Sequence, residues 1–258
     1  MASRNGRYVY VAQFGSNTVG VIDTASDLKT DDVVVSLKPE SRTHAVWIST
    51  SGRYLYATNE DASTPARGTF SKVDLQDGTI LWEREVGNRP SEVLVDGDTA
   101  YVSVRNEHVI KAFDTGGPEP NLLGLAEVNF EPDTLSLTND QRTLIVGLRR
   151  NPPQTTARMA FVDTQAFDAG AVQTPIYLTM PGTITGHQWL SSNGHLTYMA
   201  LEGRAATATV PGLPGQIAVI DNRLRRLVTT YVYPNLRTRP HGVFFEQHPQ
   251  PALDGFND

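Results

Sequence analysis

The chain has 258 residues, 39% of them hydrophobic and 19% charged, with no cysteine and a formal net charge of -6. That balance argues against nucleic acid as a partner, because phosphate binding needs a concentrated basic surface, and no apolar run approaches the roughly 20 residues of a membrane-spanning helix. The lack of cysteine excludes disulfides, thiolate metal sites and a cysteine nucleophile.

In chain order, alternating strands open at Arg7 (RYVYVAQ), Arg53 (RYLYATN), Thr99 (TAYVSVR), Arg142 (RTLIVGLR) and His195 (HLTYMALE). Strict apolar alternation marks half-buried strands. Each is followed by a β-rich run ending in an aspartate: VGVIDT at Asp23, FSKVDL at Asp74, IKAFDT at Asp114, MAFVDT at Asp163 and IAVIDN at Asp221. The aspartates recur every 40 to 58 residues, the period of four-stranded propeller blades. They precede turns, so their expected task is to cap those turns through side-chain to backbone hydrogen bonds. Ahead of four of the alternating strands lie the runs THAVWIS, PSEVLVD, PDTLSLT and GHQWLSS, which read as innermost strands closed by tight turns. The fifth such run, Pro240-His241-Gly242-Val243-Phe244-Phe245, stands alone near the end of the chain.

The expected fold is therefore an all-β, five-bladed propeller of four-stranded antiparallel blades. Its ring is closed by pairing of 242–246 with the strand from Arg7 to Gln13, which hides sheet edges. One domain covers 1–258, with 248–258 as a C-terminal tail. Residues 1–6 lack the apolar core of a signal peptide, so the chain as it stands reads as cytoplasmic, or as extracytoplasmic if a leader has been removed.

Pro240-His241-Gly242-Val243, Tyr56-Ala57-Thr58-Asn59 and Val21-Ile22-Asp23-Thr24 resemble the inner, second and third-strand motifs of the YVTN family of β-propeller repeats. The resemblance runs over nearly the whole chain, although five blades are fewer than the seven usual in that family. It implies a propeller fold and a choice among surface-layer proteins, lactonase-like enzymes and propeller subunits of redox proteins.

Residues at the start of inner strands and the end of second strands converge at one mouth of a propeller channel. Aligning the inner runs places His44, Ser91, Asp133, His187 and His241 at one position, followed by Ala45, Glu92, Thr134, Gln188 and Gly242. His44, His187 and His241 would come from consecutive blades. Three imidazoles on one side of a narrow channel suit a divalent transition metal with open positions, or direct proton transfer without metal. Glu92 and Asp133 would face them as general base or as partners orienting a histidine. A solvated ring of structural histidines is the competing expectation.

Arg105, Arg149 and Arg204, with Asn59 and Gln188, are the expected substrate contacts, and a locally basic rim would steer an anionic small molecule. Arg42, Arg89 and Arg239 recur in the repeat and are expected to bridge neighbouring blades instead. Connections from second to third strands are long at Glu60 to Thr69, Arg150 to Arg158 and Gly203 to Gly215, which favours the same face. No phosphate-cradling loop, nucleophile elbow or HExxH helix is present, so no nucleotide cofactor is expected. The expected function is a small-molecule enzyme of hydrolase, lyase or cyclase type acting on a carboxylated or lactone-like substrate. The alternative is a non-catalytic module that binds a protein or glycan.

Overall fold

Alternating apolar residues pair as antiparallel strands in five sheets, in a computed structural model that describes residues 1–61, 67–149, 156–168, 173–182, 184–203 and 212–232. The first sheet holds β1 (Tyr8–Gln13), β2 (Thr18–Asp23) and β3 (Leu28–Val34). The second holds β4 (Ser41–Ile48), β5 (Tyr54–Asp61), β6 (Gly68–Asp74) and β7 (Thr79–Gly87). The third holds β8 (Pro90–Asp96), β9 (Thr99–Val104), β10 (Val109–Asp114) and β11 (Asn121–Glu127). The fourth is β12 (Glu131–Leu137), β13 (Thr143–Arg149), β14 (Ala157–Asp163) and β15 (Ile176–Met180). The fifth is β16 (Ile184–Leu190), β17 (Leu196–Glu202), β18 (Gln216–Asp221) and β19 (Arg226–Val232). This is a five-bladed β-propeller fold. By backbone contacts the chain divides into two units, Met1–Leu125 and Ala126–Asn257, each described below by itself.

Third strands end at Asp23, Asp74, Asp114, Asp163 and Asp221, as expected from the repeat. Each Oδ1 accepts a backbone N–H in the turn that follows, from Ala25, Gln76, Gly116, Gln165 and Leu224 at 2.8–3.0 Å. The N–H of the next residue returns to the carbonyl just before the second strand in every blade: Thr24 to Arg7, Leu75 to Arg53, Thr115 to Asp98, Thr164 to Arg142 and Asn222 to His195. Asx turns of this kind satisfy backbone groups that the ladder leaves over.

Two of these turn carboxylates, and Asp140 in the hairpin between β12 and β13, are held as anions. The N–H of Ala25 and the guanidinium of Arg7 keep Asp23 below the usual carboxylate range. Arg53 and the N–H of Gln76 do the same for Asp74. The Thr138 hydroxyl and the N–H of Arg142 do so for Asp140. A depressed folded pKa contributes stability above the unfolded value, about 3.9 for aspartate, and that contribution is lost as pH falls through the folded value. Unfolding midpoints are therefore expected to hold steady from neutral pH down to about 4.5 and to fall below about 3.9. Replacing Asp74 by Asn should flatten that fall in a thermal melt taken across the acid range.

Hairpins between first and second strands repeat as well. The hydroxyls of Ser3, Ser49, Thr138 and Ser191 accept the N–H of Tyr8, Tyr54, Thr143 and Leu196. Ser3 thus occupies the place that closes an inner strand. Ala2 bridges Val9, and Met1 exchanges both backbone bonds with Tyr10 at 2.8 and 2.9 Å. Met1 to Ser3 therefore hold the edge of β1 beside Val9 and Tyr10, and the expected pairing of 242–246 with the strand from Arg7 to Gln13 falls on residues outside the described ones. The segment from Pro240, including His241, lies outside the described residues.

Apolar faces pack between neighbouring sheets of each unit. Tyr56, Phe70, Trp82 and Phe113 share one core with Val93, Val102 and Val104, and Phe70 is fully buried. Its ring lies 5.0 Å from Trp82, 5.7 Å from Phe113 and 6.1 Å from Tyr56. Met159, Met180, Met199 and Leu201 build the corresponding core of the second unit with Phe161 and Ile220. Lys72 on β6 bridges two sheets: its ammonium sits 4.3 Å from the ring centroid of Tyr54 in its own sheet and donates to the Thr115 carbonyl after β10 of the next at 2.9 Å.

Candidate functional site

Every inner strand from β4 onward carries a β-bulge at the same place. One extra residue interrupts the register at His44 opposite Asn59 and Thr58, at Ser91 and Glu92 opposite Ser103, at Asp133 opposite Leu148 and Gly147, and at Gly186 and His187 opposite Ala200. A bulge leaves backbone groups outside the ladder and re-aims the side chains around it. Here hydroxyls from the second strands replace the missing ladder partners. Thr58 Oγ1 accepts the N–H of Ala45 at 3.2 Å and donates to the Ser91 carbonyl at 2.7 Å, while Ser103 Oγ accepts the N–H of Glu92 at 2.8 Å.

The same register corrects the alignment of the histidines. β16 pairs Trp189 with Tyr198 and Leu190 with Thr197, as β4 pairs Trp47 with Tyr56 and Ile48 with Leu55. Gly186 therefore stands where His44 does, His187 stands where Ala45 does, and Gln188 stands at the place of Val46. Ser191, not Ser192, holds the turn position that Ser49 holds in the second blade, which moves the register by one. A shift of one residue exchanges the two faces of a strand. His187 is exposed, and Gln188 and Thr185 are turned inward and buried.

Within the first unit the bulge residues form a connected cluster. Only the Nδ1–H of His44 can bond the Ser91 carbonyl, at 3.0 Å, which fixes the tautomer and leaves Nε2 to accept from Nη2 of Arg105 at 3.2 Å. Arg105 opens the short 3-10 turn after β9 and is buried, with 4% of its surface exposed. Its other terminal nitrogen is 3.9 Å from Oε1 of buried Glu60, and Arg89 approaches Oε2 of the same carboxylate at 3.6 Å. Arg89 thus bridges adjacent blades, as the repeat led one to expect. Phe14 meets the His44 ring edge-on, with centroids 5.8 Å apart, and Arg42 lies over Phe14 at 5.7 Å. Phe14 is about half exposed, so the cluster has an aromatic lip. Nothing in the repeat pattern singles out Phe14, which lies just past the end of β1.

The remaining expected site residues divide by environment. Glu92 is half-buried beside this cluster, on the bulge of β8. Asn59 is fully buried and directed into its own blade, where Thr43, Thr69, Ser71 and the Val35 carbonyl surround its amide. Asn59 is therefore a structural node and not a ligand contact. In the second unit Asp133 is buried and Arg149 reaches it at 3.7 Å. Gln188 donates to the Ile145 carbonyl at 2.8 Å from a buried position, so it too is engaged within the fold. Arg204, Arg239 and most of the three long connections lie outside the described residues.

As a metal ligand His44 fits poorly where it stands. Nδ1 is committed to a carbonyl and a guanidinium covers the Nε2 lone pair, whereas a ligating imidazole needs one bare nitrogen. Among the described residues no group of three His, Asp or Glu side chains is placed to hold a metal ion. No helix of the described residues is long and apolar enough to cross a membrane.

No family model matches the chain, and no curated protein matches it. Solved structures do. The chain is similar to Kuenenia stuttgartiensis hydrazine synthase, with a TM-score of 0.75 and 17% identity over 92% of this chain and 66% of that one. It is also similar to a chain of a mitotic checkpoint complex, with a TM-score of 0.71 and 15% identity over 93% of this chain and 64% of that one. At such identities the likeness establishes the β-propeller fold and nothing finer.

Proposed function

We propose that this propeller, a divergent relative of the YVTN-type repeats, handles a small anionic molecule at the bulge rim, with Arg105 and His44 as the acting pair. The observation that carries the reading is the buried guanidinium of Arg105 resting on the neutral Nε2 of His44. A carboxylate is a stronger acceptor for a guanidinium than an imidazole is. An incoming carboxylated or ring-opened lactone substrate would draw Arg105 toward itself and free the His44 lone pair to accept a proton. Glu92, on the neighbouring bulge of β8, supplies a further acid–base group of that unit, while Asp133 and Arg149 form a second carboxylate–guanidinium pair on the fourth blade. A proton acceptor beside a bound anion is a group that hydrolase, lyase and cyclase chemistry can each use.

A three-histidine metal site of His44, His187 and His241 is the competing form of this reading, and it requires Arg105 to leave His44. A non-catalytic module for a protein or glycan is favoured instead by apolar side chains exposed on outer strands, among them Leu28, Leu122, Val228 and Tyr231. The two similar structures split the same way, one named for an enzyme and the other for an assembly.

Elemental analysis combined with carboxylate titration separates these readings. The metal-free protein is expected to bind a simple carboxylate such as benzoate, and Arg105→Gln should weaken that binding about 10- to 100-fold, the worth of one charge-assisted hydrogen bond. One equivalent of transition metal per chain, lost in His187→Ala, would move the assignment to the histidine metal site. Absence of both metal and carboxylate binding would leave the binding module.

A further inference from the structure

Two buried polar atoms face the space between the fourth and fifth sheets without a hydrogen-bond partner among the described residues: Thr185 Oγ1 and Gln188 Oε1. Thr185 is 1% exposed and Gln188 7%. Both belong to β16, on either side of the Gly186–His187 bulge. The extra residue restores the alternation, so that both side chains point to the same neighbour, β13. Gln188 touches that strand at the Ile145 carbonyl. Thr185 reaches it two residues on, with its hydroxyl 3.4 Å from where a Cβ of Gly147 would stand.

The repeat shows why these atoms are left over. In the second blade the hydroxyl of Thr43 reaches Oδ1 of Asn59, but the residue opposite Thr185 is Leu201, which offers no acceptor. Thr58, whose hydroxyl ties the bulge of its own blade to the next one, is matched in β13 by Gly147. Thr134 Oγ1 moves into the vacated volume, 2.3 Å from the Cβ that glycine lacks. From there it reaches the bulge carbonyl of Gly186 only at 3.5 Å, a long bond where Thr58 makes one of 2.7 Å. Thr134, Thr185, Gln188 and the Gly186 carbonyl thus form a polar cluster with unused hydrogen-bonding capacity inside an apolar core of Met159, Met199 and Leu201.

We propose that this cluster is a binding site for ordered water, with one or two molecules bridging Thr134, Thr185 and Gln188 beneath the bulge that presents His187. A buried water ordinarily makes about three hydrogen bonds to groups that would otherwise be unsatisfied, and the cluster supplies that number. The water takes over the task that the Thr58 hydroxyl performs between the second and third sheets. His187 is held at the surface by it, whichever function the rim serves.

Thr185→Val, which keeps the shape and removes the hydroxyl, decides the matter by sign. If water bridges the cluster, the variant loses a satisfied hydrogen bond and its melting midpoint falls by roughly 2–4 °C. If the hydroxyl is a true orphan, removing it relieves a buried desolvation cost, the midpoint rises, and the proposal is overturned. The independent readout is magnetisation transfer from long-lived water to the amides of Gly186 and His187 in the unmodified protein. Cross-peaks that weaken in Thr185→Val are expected, and their absence from the unmodified protein would equally overturn the assignment.

Discussion

Replacing Phe70 by alanine is expected to destabilise the protein by about 3–5 kcal/mol, the range for removing a fully buried aromatic ring. The ring touches Trp82, Phe113 and Tyr56, residues of three strands in two sheets, so the cavity cannot close by moving one neighbour. Part of the cost is the lost transfer free energy of the ring, and part is the void left between strands that their hydrogen-bonded ladders hold at fixed spacing. Phe70→Leu fills most of the same space and should cost about half as much. Denaturant unfolding of the two variants measures the difference. A loss below about 1 kcal/mol for Phe70→Ala would mean that the second and third sheets do not share this core.

The second large effect concerns the charges under the rim. Replacing Arg105 by methionine leaves the buried Glu60 carboxylate with Arg89 at 3.6 Å as its nearest remaining cation. Removing one member of a buried pair typically costs 3–5 kcal/mol. The low end, about 3 kcal/mol, is expected here because Arg89 still shields the carboxylate. Adding Glu60→Gln to that variant removes the stranded charge and should recover most of the loss, giving a coupling energy of about 1–3 kcal/mol in a double-mutant cycle. Additive losses would show that Arg105 acts on His44 alone and not on Glu60.

Much of the fold is written in short-range pattern. The third-strand aspartates and the alternation that begins at Arg7, Arg53, Thr99, Arg142 and His195 fall where the strands do, because turn capping and a two-residue period are local properties of the chain. The bulges are not local in this sense. An extra residue at His44 or Asp133 leaves the alternation readable on both sides, and only the partner strand reveals the slip. Thr58 and Ser103 carried a faint signal, as hydroxyls in otherwise apolar strands. The displaced assignment of His187 has the same origin: Ser191 and Ser192 are both competent turn residues, and register against β17 is what selects Ser191. Met1 to Ser3 carry no readable signal, because three residues are too few to show a period.

At the rim the repeat singles out residues but not the partners they find. His44, Glu92 and Arg105 were singled out from their places in the repeat. The pairing of His44 with Arg105 spans 61 positions and depends on the bulge turning the imidazole toward the adjacent blade. Asn59 and Gln188 looked like rim residues because they stand near strand ends, yet side-chain direction, set by the bulged register, turns both into the fold.

The proposed function depends most directly on the state of His44, and nitrogen-15 NMR of its ring reads that state. A protonated Nδ1 and an unprotonated, hydrogen-bonded Nε2 whose resonance shifts in Arg105→Gln are expected at neutral pH. A ring protonated at Nε2, or an Nε2 resonance that responds to added transition metal while ignoring loss of Arg105, would contradict the Arg105–His44 pair and the function built on it.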